Sequence, residues 1–497
     1  MEDIYIQYGI IAVFLFLGIF ASKISSLIKI PTLLMFLIIG MIAGSEGLGG
    51  YAYEDYSSAC QIGTLALAFI LFSGGYDTSW SSVKKVLVPG TILSTLGVFL
   101  TALFIGIFTS WYMGWDIRYG LLLGSVVSST DAATVFAIFR SKSVALKGNL
   151  RPLLEYESGS NDPMATFLTV FMISMILHPG DASYLQIVPA FCQRIGVGVL
   201  AGVFVGFCVA RLMNDVKLEY DGLYYVIGIG TVFLAFSSSE ACGGNGFMAV
   251  YVCGLVMGNS RFIYKHGLGR FHDGIAWLMQ VTLFLALGLL VTPSHFKEIV
   301  VPGLAIAAFI MFVARPLSVY LGLIKSSFNF REQTLVAWGG IRGAAPIVLA
   351  IFPCLAFRED PEKLDMAISI FHLVFFIVLS SMLIQGKTLM PLARLMRLDE
   401  VARAKPRAPL EFEETGRSKS RMYEFEISEG SPIIGLAIRN LNLPENVLVY
   451  LIRRDGLFIV PRGGTEIMQD DELMMMMEPE SLAQVENLLT IEPESVC

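Results

Sequence analysis

From residue 7 to about residue 391 the chain keeps returning to apolar stretches long enough to cross a bilayer. One helical crossing takes about 20 such residues. Hydrocarbon offers no water to a peptide group, so these stretches must satisfy their own backbone as helices or as a closed barrel. They lie near residues 7–22, 31–48, 60–74, 87–110, 118–139, 156–177, 187–212, 222–239, 246–259, 274–292, 299–323, 334–354 and 365–391, thirteen in all. Their lengths suit helices. Composition agrees: 55% of the 497 residues are hydrophobic, 15% are charged, and mean hydropathy is +0.66. The expected fold class is an all-α polytopic membrane protein with a small α+β domain after it. A soluble enzyme is excluded.

Basic residues fall in alternate loops. They include Lys23 and Lys29, then Lys84 and Lys85, then Arg140, Lys142, Lys147 and Arg151, and finally Arg394, Arg397, Arg403 and Lys405. The intervening loops carry Glu46, Glu54, Asp55 and Asp181 instead. The positive-inside rule then puts the N-terminus outside and the C-terminus in the cytoplasm, as expected of a bacterial inner-membrane protein. The first apolar run follows Glu2 and Asp3 without a basic segment, so no cleavable signal is expected. The net charge of −7 gives no reason to expect a nucleic-acid partner. The seven cysteines are scattered without a CxxC, which implies neither a disulfide framework nor a transition-metal site.

Against this background the stretch Glu155-Tyr-Glu157-Ser158-Gly-Ser-Asn161-Asp162-Pro163 stands out, because it leads straight into Met164–Leu177. A charge at mid-bilayer costs roughly 2.5–3.5 kcal/mol on insertion scales, so Asp162 is a functional candidate by default. The plainer reading is that Asp162 caps a half-helix beginning at Pro163. Two other spans are interrupted. Span five reads Ser128-Ser129-Thr130-Asp131-Ala-Ala, and span twelve reads Gly339-Gly340-Ile-Arg342-Gly343-Ala-Ala-Pro346. Unwound backbone at that depth must line a cavity, and a matched pair of broken spans in two halves of a transporter points to its binding site. Spans one to six would repeat as eight to thirteen in the opposite direction.

A cation crossing a membrane needs oxygen ligands at the midplane and a means of release. One buried carboxylate supplies both if its pKa lies near working pH: burial raises it and neighbouring cations lower it. Such a group holds a proton or a monovalent cation, never both, which is an exchange mechanism with one-for-one, electroneutral stoichiometry. Ser158 lies on the face of Asp162. Thr130 offers a hydroxyl and nearby freed carbonyls, Asp131 completes the opposite half, and Asn161 can orient Asp162 without adding a titrating group. Arg315 and Arg342 are also in apolar surroundings and need partners. Glu157 is expected to form a structural ion pair with Arg315, and Arg342 to stabilise the crossing helices.

These residues resemble a known family. Glu157-Ser-Gly-Ser-Asn-Asp-Pro163 is similar to the Asn-Asp signature of the monovalent cation/proton antiporter-1 family, which includes NhaP-type bacterial antiporters and animal sodium/proton exchangers. Ser129-Thr130-Asp131 and Gly339-Gly340-Ile-Arg342-Gly343 resemble its two broken spans, over a match covering roughly residues 5–395. The resemblance implies a homodimer with a dimerisation part and a mobile core, and Asp162 as the cation- and proton-binding residue. It implies Thr130, Ser158 and the backbone near Thr130 as ligands, and the Glu157–Arg315 pair. Some NhaP-type members have an acid in span three where this chain has Ser73, so the preferred ion stays open.

Past a linker at 396–420 the sequence turns soluble. Met422–Ile427, Asn446–Ile452, Leu457–Val460 and Leu473–Glu478 read as strands, Pro432–Leu441 and Ser481–Leu489 as helices. The tail from 421 resembles the C-terminal subdomain of RCK/TrkA regulatory modules. That implies a small-molecule or nucleotide effector and tilts the ion expectation from sodium towards potassium. No GxGxxG precedes it, so NAD is not expected, and no other cofactor is called for. The expected function is monovalent cation/proton antiport by alternating access. A gated potassium channel is the alternative, disfavoured for want of a TVGYG-like filter. No HExxH or GxSxG lies on a span, so an enzyme is not expected.

Overall fold

The computed structural model describes residues 2–28, 31–50, 55–140, 144–179, 187–216, 218–291, 294, 296–401, 421–427, 431–454 and 457–490. The chain divides into two compact units, Met1–Ala402 and Arg403–Cys497. The first opens with α1 (Glu2–Ile28), α2 (Thr32–Ala43), α3 (Tyr56–Asp77) and α4 (Trp80–Ile92), which runs through a π-helical turn at Leu93–Gly97 into α5 (Val98–Met113). Then come α6 (Ile117–Val126), α7 (Ala132–Arg140), strand β1 (Val144–Leu146), α8 (Leu150–Leu177), α9 (Ile187–Asp215), α10 (Gly222–Ala241), α11 (Gly246–Asn259) and α12 (Lys265–Leu289). Next, α13 (Phe296–Phe309) passes through a second π-helical turn, Ile310–Ala314, into α14 (Arg315–Gly322). The unit closes with α15 (Phe330–Trp338), α16 (Ala344–Ala356), α17 (Pro361–Leu395) and β2 (Asp399–Val401).

The protein is thus mostly helical. Among the described residues eight helical stretches are long and apolar enough to cross a membrane, and five apolar helices are shorter. Two of the shorter ones, Ile117–Val126 and Ala344–Ala356, are halves of the interrupted spans.

Small residues let the helices approach closely, as expected where lipid gives no hydrophobic drive to associate. Gly198, Gly202 and Gly206 of α9 lie against α11, where Asn245, Ala249 and Cys253 present backbone carbonyls to them. On the other side of α11, Gly254 and Gly258 meet the backbone of Phe72 and Tyr76 in α3. Helices α1–α3 and α9–α12 pack mainly on one another in this way. Helices α4–α8 pack with α13–α17 around a core that includes Leu153, Val336, Ile347 and Phe371.

Two sequence expectations need correction, and one element is new. Asp162 does not cap a half-helix: α8 starts at Leu150 and Pro163 lies inside it. Proline deprives the Gly159 carbonyl of its i+4 donor, yet packing on both sides holds the helix together. The short antiparallel ladder β1–β2, with Ala145 opposite Glu400, was not foreseen. It ties the loop after α7 to the end of α17, where Lys147 N–H also donates to the Leu398 carbonyl at 3.0 Å. Finally, Pro432–Leu441 is not a helix but turns followed by a 3-10 turn at Ile438–Asn440. Gly435 sits at φ +82°, and the peptide N–H groups of Gly435, Ile438 and Arg439 bond Ile467, Thr465 and Gly463 instead of carbonyls of their own segment.

The second unit is a four-stranded antiparallel sheet of order β3-β6-β4-β5, made of β3 (Arg421–Glu426), β4 (Leu448–Arg454), β5 (Leu457–Ile459) and β6 (Glu472–Met477), with α18 (Leu482–Thr490). Its core includes Phe425, Ile452, Leu473, Met475 and Val485. The methionine run is thus central-strand core. The Asp455-Gly456 turn and most of the linker, from 402 on, lie outside the described residues.

Candidate functional site

The site begins with two stretches of backbone that have left their helices. Residues 127–131 separate α6 from α7, and residues 339–343 separate α15 from α16. Their freed polar groups need partners, and the two stretches supply them to each other: Asp131 N–H donates to the Ile341 carbonyl at 2.8 Å. The approach is close. A Cβ at Gly343 would lie 2.3 Å from Asp131 Oδ2, and one at Gly340 would lie 2.7 Å from Arg315 Nε.

Arg342, 1% exposed, works on both breaks. Its Nε donates to the Val127 carbonyl at 3.1 Å, and its Nη1 to the carbonyl of Gly340. Helix α17 braces the second break as well: Ser381 Oγ accepts from Arg342 N–H at 3.1 Å and donates to Gln385 Oε1 at 2.5 Å, and Gln385 Nε2 donates to the Trp338 carbonyl at 2.9 Å. Ser381 and Gln385 were missed in the sequence because neither is charged and α17 carries no break.

Helix α8 lies against the first break. Ser158 Oγ donates to the Thr130 carbonyl at 2.8 Å and accepts from Ala132 N–H at 2.9 Å. Asn161, fully buried, donates from Nδ2 to Thr130 Oγ1 at 2.6 Å and accepts from Thr130 N–H at 3.4 Å. Asp131 caps α7, accepting from Thr134 N–H at 3.3 Å and from Thr134 Oγ1 at 2.7 Å. Asn161 therefore braces the break and is spent on Thr130 rather than on Asp162. Thr130 and Ser158, the ligands the resemblance implies, are engaged in closing the same break.

Asp162 is half-buried, and its Oδ1 is buried with no hydrogen-bond partner among the described residues. The side chains it faces are Asp131 and Ser129. Ser129 is fully buried, and its Oγ is the hydroxyl that approaches the Asp162 carboxylate. A buried hydroxyl and a buried carboxylate oxygen thus lie together beside the helix break with no other partner among the described residues, and a buried polar atom left without one costs about 1–3 kcal/mol. Sequence pointed to Thr130 and passed over its neighbour Ser129.

One turn before Asp162, Glu157 Oε1 accepts from Arg315 Nη2 at 2.5 Å, both side chains 1% exposed. Helix α11 and its N-cap residue Asn245 lie against α8. The Tyr251 ring lies on Gly159, and Asn245 Nδ2 donates to the Pro163 carbonyl at 3.2 Å. Ser73, which stands where some NhaP-type members have an acid, donates to Asp273 Oδ1 of α12 at 2.8 Å.

A carboxylate held at two facing helix breaks inside a polytopic helical protein defines the class of secondary transporters that bind ions at discontinuous helices. Residues 11–395 match the sodium/hydrogen exchanger transmembrane family, and residues 422–490 match the TrkA-C domain. The chain belongs to the sodium/hydrogen exchanger family, as a multi-pass membrane antiporter of the monovalent cation/proton class. It is 36% identical over 482 residues to the K(+)/H(+) antiporter NhaP2 of Shewanella oneidensis, covering 96% of this chain and 82% of that protein. It is 34% identical to the K(+)/H(+) antiporter NhaP of Alkalimonas amylolytica, over 99% of this chain and 84% of that protein. In fold it is similar to the sodium proton antiporter MjNhaP1 of Methanocaldococcus jannaschii, with a TM-score of 0.70 at 24% identity, over 80% of this chain and 99% of that one.

Proposed function

We propose that the chain exchanges potassium for protons one for one at Asp162. The observation that carries this reading is the Asp162 carboxylate, whose Oδ1 is buried beside the first break with no hydrogen-bond partner of normal geometry among the described residues and only the Ser129 hydroxyl and the Asp131 carboxyl facing it. A cation or a proton supplies what is missing. Around the breaks stand two guanidinium groups, Arg315 and Arg342, and three carboxylates, Asp131, Glu157 and Asp162. With all five ionised the cluster carries one net negative charge, which either a proton or one monovalent cation cancels. The two loaded forms are then equally neutral, and either can cross a low-dielectric barrier. Electroneutral stoichiometry follows from that equality.

Thirteen spans in two inverted repeats, with the broken spans crossing, accommodate this chemistry. Alternating access arises when α4–α8 and α13–α17 move against α1–α3 and α9–α12, the latter group forming a homodimer. The loops rich in lysine and arginine face the cytoplasm of a bacterial inner membrane, as does the C-terminus. The domain boundaries are 1–395 for exchange, 396–420 for the linker and 421–497 for regulation, where a small molecule or nucleotide sets activity. Potassium is favoured over sodium because the Shewanella oneidensis and Alkalimonas amylolytica relatives, each aligned over nearly all of this chain, are named K(+)/H(+) antiporters. A channel has no need of such a charge-balanced carboxylate.

The test is dequenching of a ΔpH dye in inside-out vesicles lacking other antiporters. Potassium, sodium and lithium are added in turn to wild type and to Asp162→Asn. Collapse of the gradient by potassium at lower concentration than by sodium, and only with Asp162 present, is expected. Undiminished exchange in Asp162→Asn would refute the assignment.

A further inference from the structure

A cavity of about 1150 Å³ opens between α4 and α8 on one side and α9 and α11 on the other. It exceeds the roughly 300–1,000 Å³ of ordinary small-molecule pockets. Its α9/α11 wall is apolar, formed by Val199, Val203 and Phe207 of α9 and Val252, Leu255 and Val256 of α11, while the opposite wall adds hydroxyls such as Thr91 and Thr95. Water gains little along the apolar wall, and the medium next to a membrane helix is acyl chain.

One end is different in kind. There the lining includes Arg211 and Arg261, with Trp80 beside them. The neighbouring amides are already used: Asn259 Oδ1 accepts from Trp80 N–H at 2.8 Å, and Asn214 Nδ2 donates to the Arg261 carbonyl at 3.0 Å. Arg211 shares a 3.5 Å ion pair with Asp215, both side chains largely exposed, so that pair is weak and exchangeable. The guanidinium groups are therefore the available donors, and a tryptophan beside paired basic residues is the pattern of a membrane interface. The far end reaches Ser160 and Tyr251, next to the turn of α8 that carries Asp162.

We propose that this cavity is a site for an anionic phospholipid, its headgroup on Arg211 and Arg261 and one acyl chain along α9 and α11. Basic pockets between membrane helices select anionic headgroups, and the apolar wall accounts for the chain. The seated chain bridges α8, which carries Asp162, and the helices packed on α3.

The experiment is native mass spectrometry of the purified full-length protein, titrated with phosphatidylglycerol and with phosphatidylcholine of the same chains. Wild type is expected to bind phosphatidylglycerol more tightly. In Arg211→Gln/Arg261→Gln that preference falls by about thirtyfold, each basic group contributing about 1 kcal/mol and 1.4 kcal/mol being tenfold, while phosphatidylcholine binding stays. Val203→Trp, which fills the apolar part, weakens both lipids at unchanged melting temperature. Equal binding of the two lipids by wild type, or a preference that survives the double arginine change, would overturn the headgroup assignment. Binding untouched by Val203→Trp would place the lipid elsewhere on the protein and overturn the site.

Discussion

Asp162 and Ser129 face each other with no other side-chain partner of normal geometry among the described residues, and an ion entering there must trade its hydration shell for such atoms. Thr130 and Ser158 already hold the break closed. Replacing Ser129 by Ala is therefore expected to raise the apparent KM for potassium about tenfold, a change equivalent to about 1.4 kcal/mol. The melting temperature should stay put, and cation-dependent dequenching read beside a thermal melt checks both halves. Glu157→Gln is the opposite case. It leaves Arg315 buried without its counter-charge, and breaking such a pair costs about 3–5 kcal/mol. A large fall in melting temperature is expected, and an unchanged melt would show that the pair does not hold the fold. Asp162 and the Glu157–Arg315 pair were legible in the sequence because charge in an apolar run demands a reason and a partner. Ser129 was not, because which hydroxyl stays free depends on which bonds the unwound backbone consumes.

Between elements the tightest point is where the two breaks meet. Gly343→Ala would drive a methyl to within 2.3 Å of Asp131 Oδ2 and part the breaks. Exchange should fall sharply while the protein still inserts; wild-type rates in Gly343→Ala would contradict the close approach. Both breaks could be read from sequence, since glycine and clustered hydroxyls interrupt a helix visibly. The continuity of α8 through Pro163 could not, because contacts from α11 and the first break hold that helix together. Nor could β1–β2, whose three-residue strands lie some 250 residues apart and carry no periodic signal of their own. In the tail, alternation revealed the strands, whereas Gly435 turned an apparent helix into turns paired with a distant loop. There Asp471 of the β6 approach is fully buried and accepts from Arg454 at 2.7 and 2.8 Å. Burial pushes its carboxyl up, but Arg454 and the Met468 N–H more than offset this and hold it below the usual range. Its stabilisation is thus complete above the unfolded value of about 3.9 and is lost as pH falls through the lower folded one. Limited proteolysis of the full chain should find the tail equally resistant from pH 8 to pH 5, and Arg454→Ala cleaved faster throughout.

For the molecule as a whole, the claim is that one carboxylate accepts either passenger and never both. The charge balance of Asp131, Glu157, Asp162, Arg315 and Arg342 gives that claim a countable consequence. The measurement is proton release from purified protein in weakly buffered detergent solution near neutral pH as potassium is added. Saturating release approaching one proton per chain is expected, with the same midpoint as potassium binding, and none from Asp162→Asn. Potassium binding without proton release, or release that persists in Asp162→Asn, would contradict it.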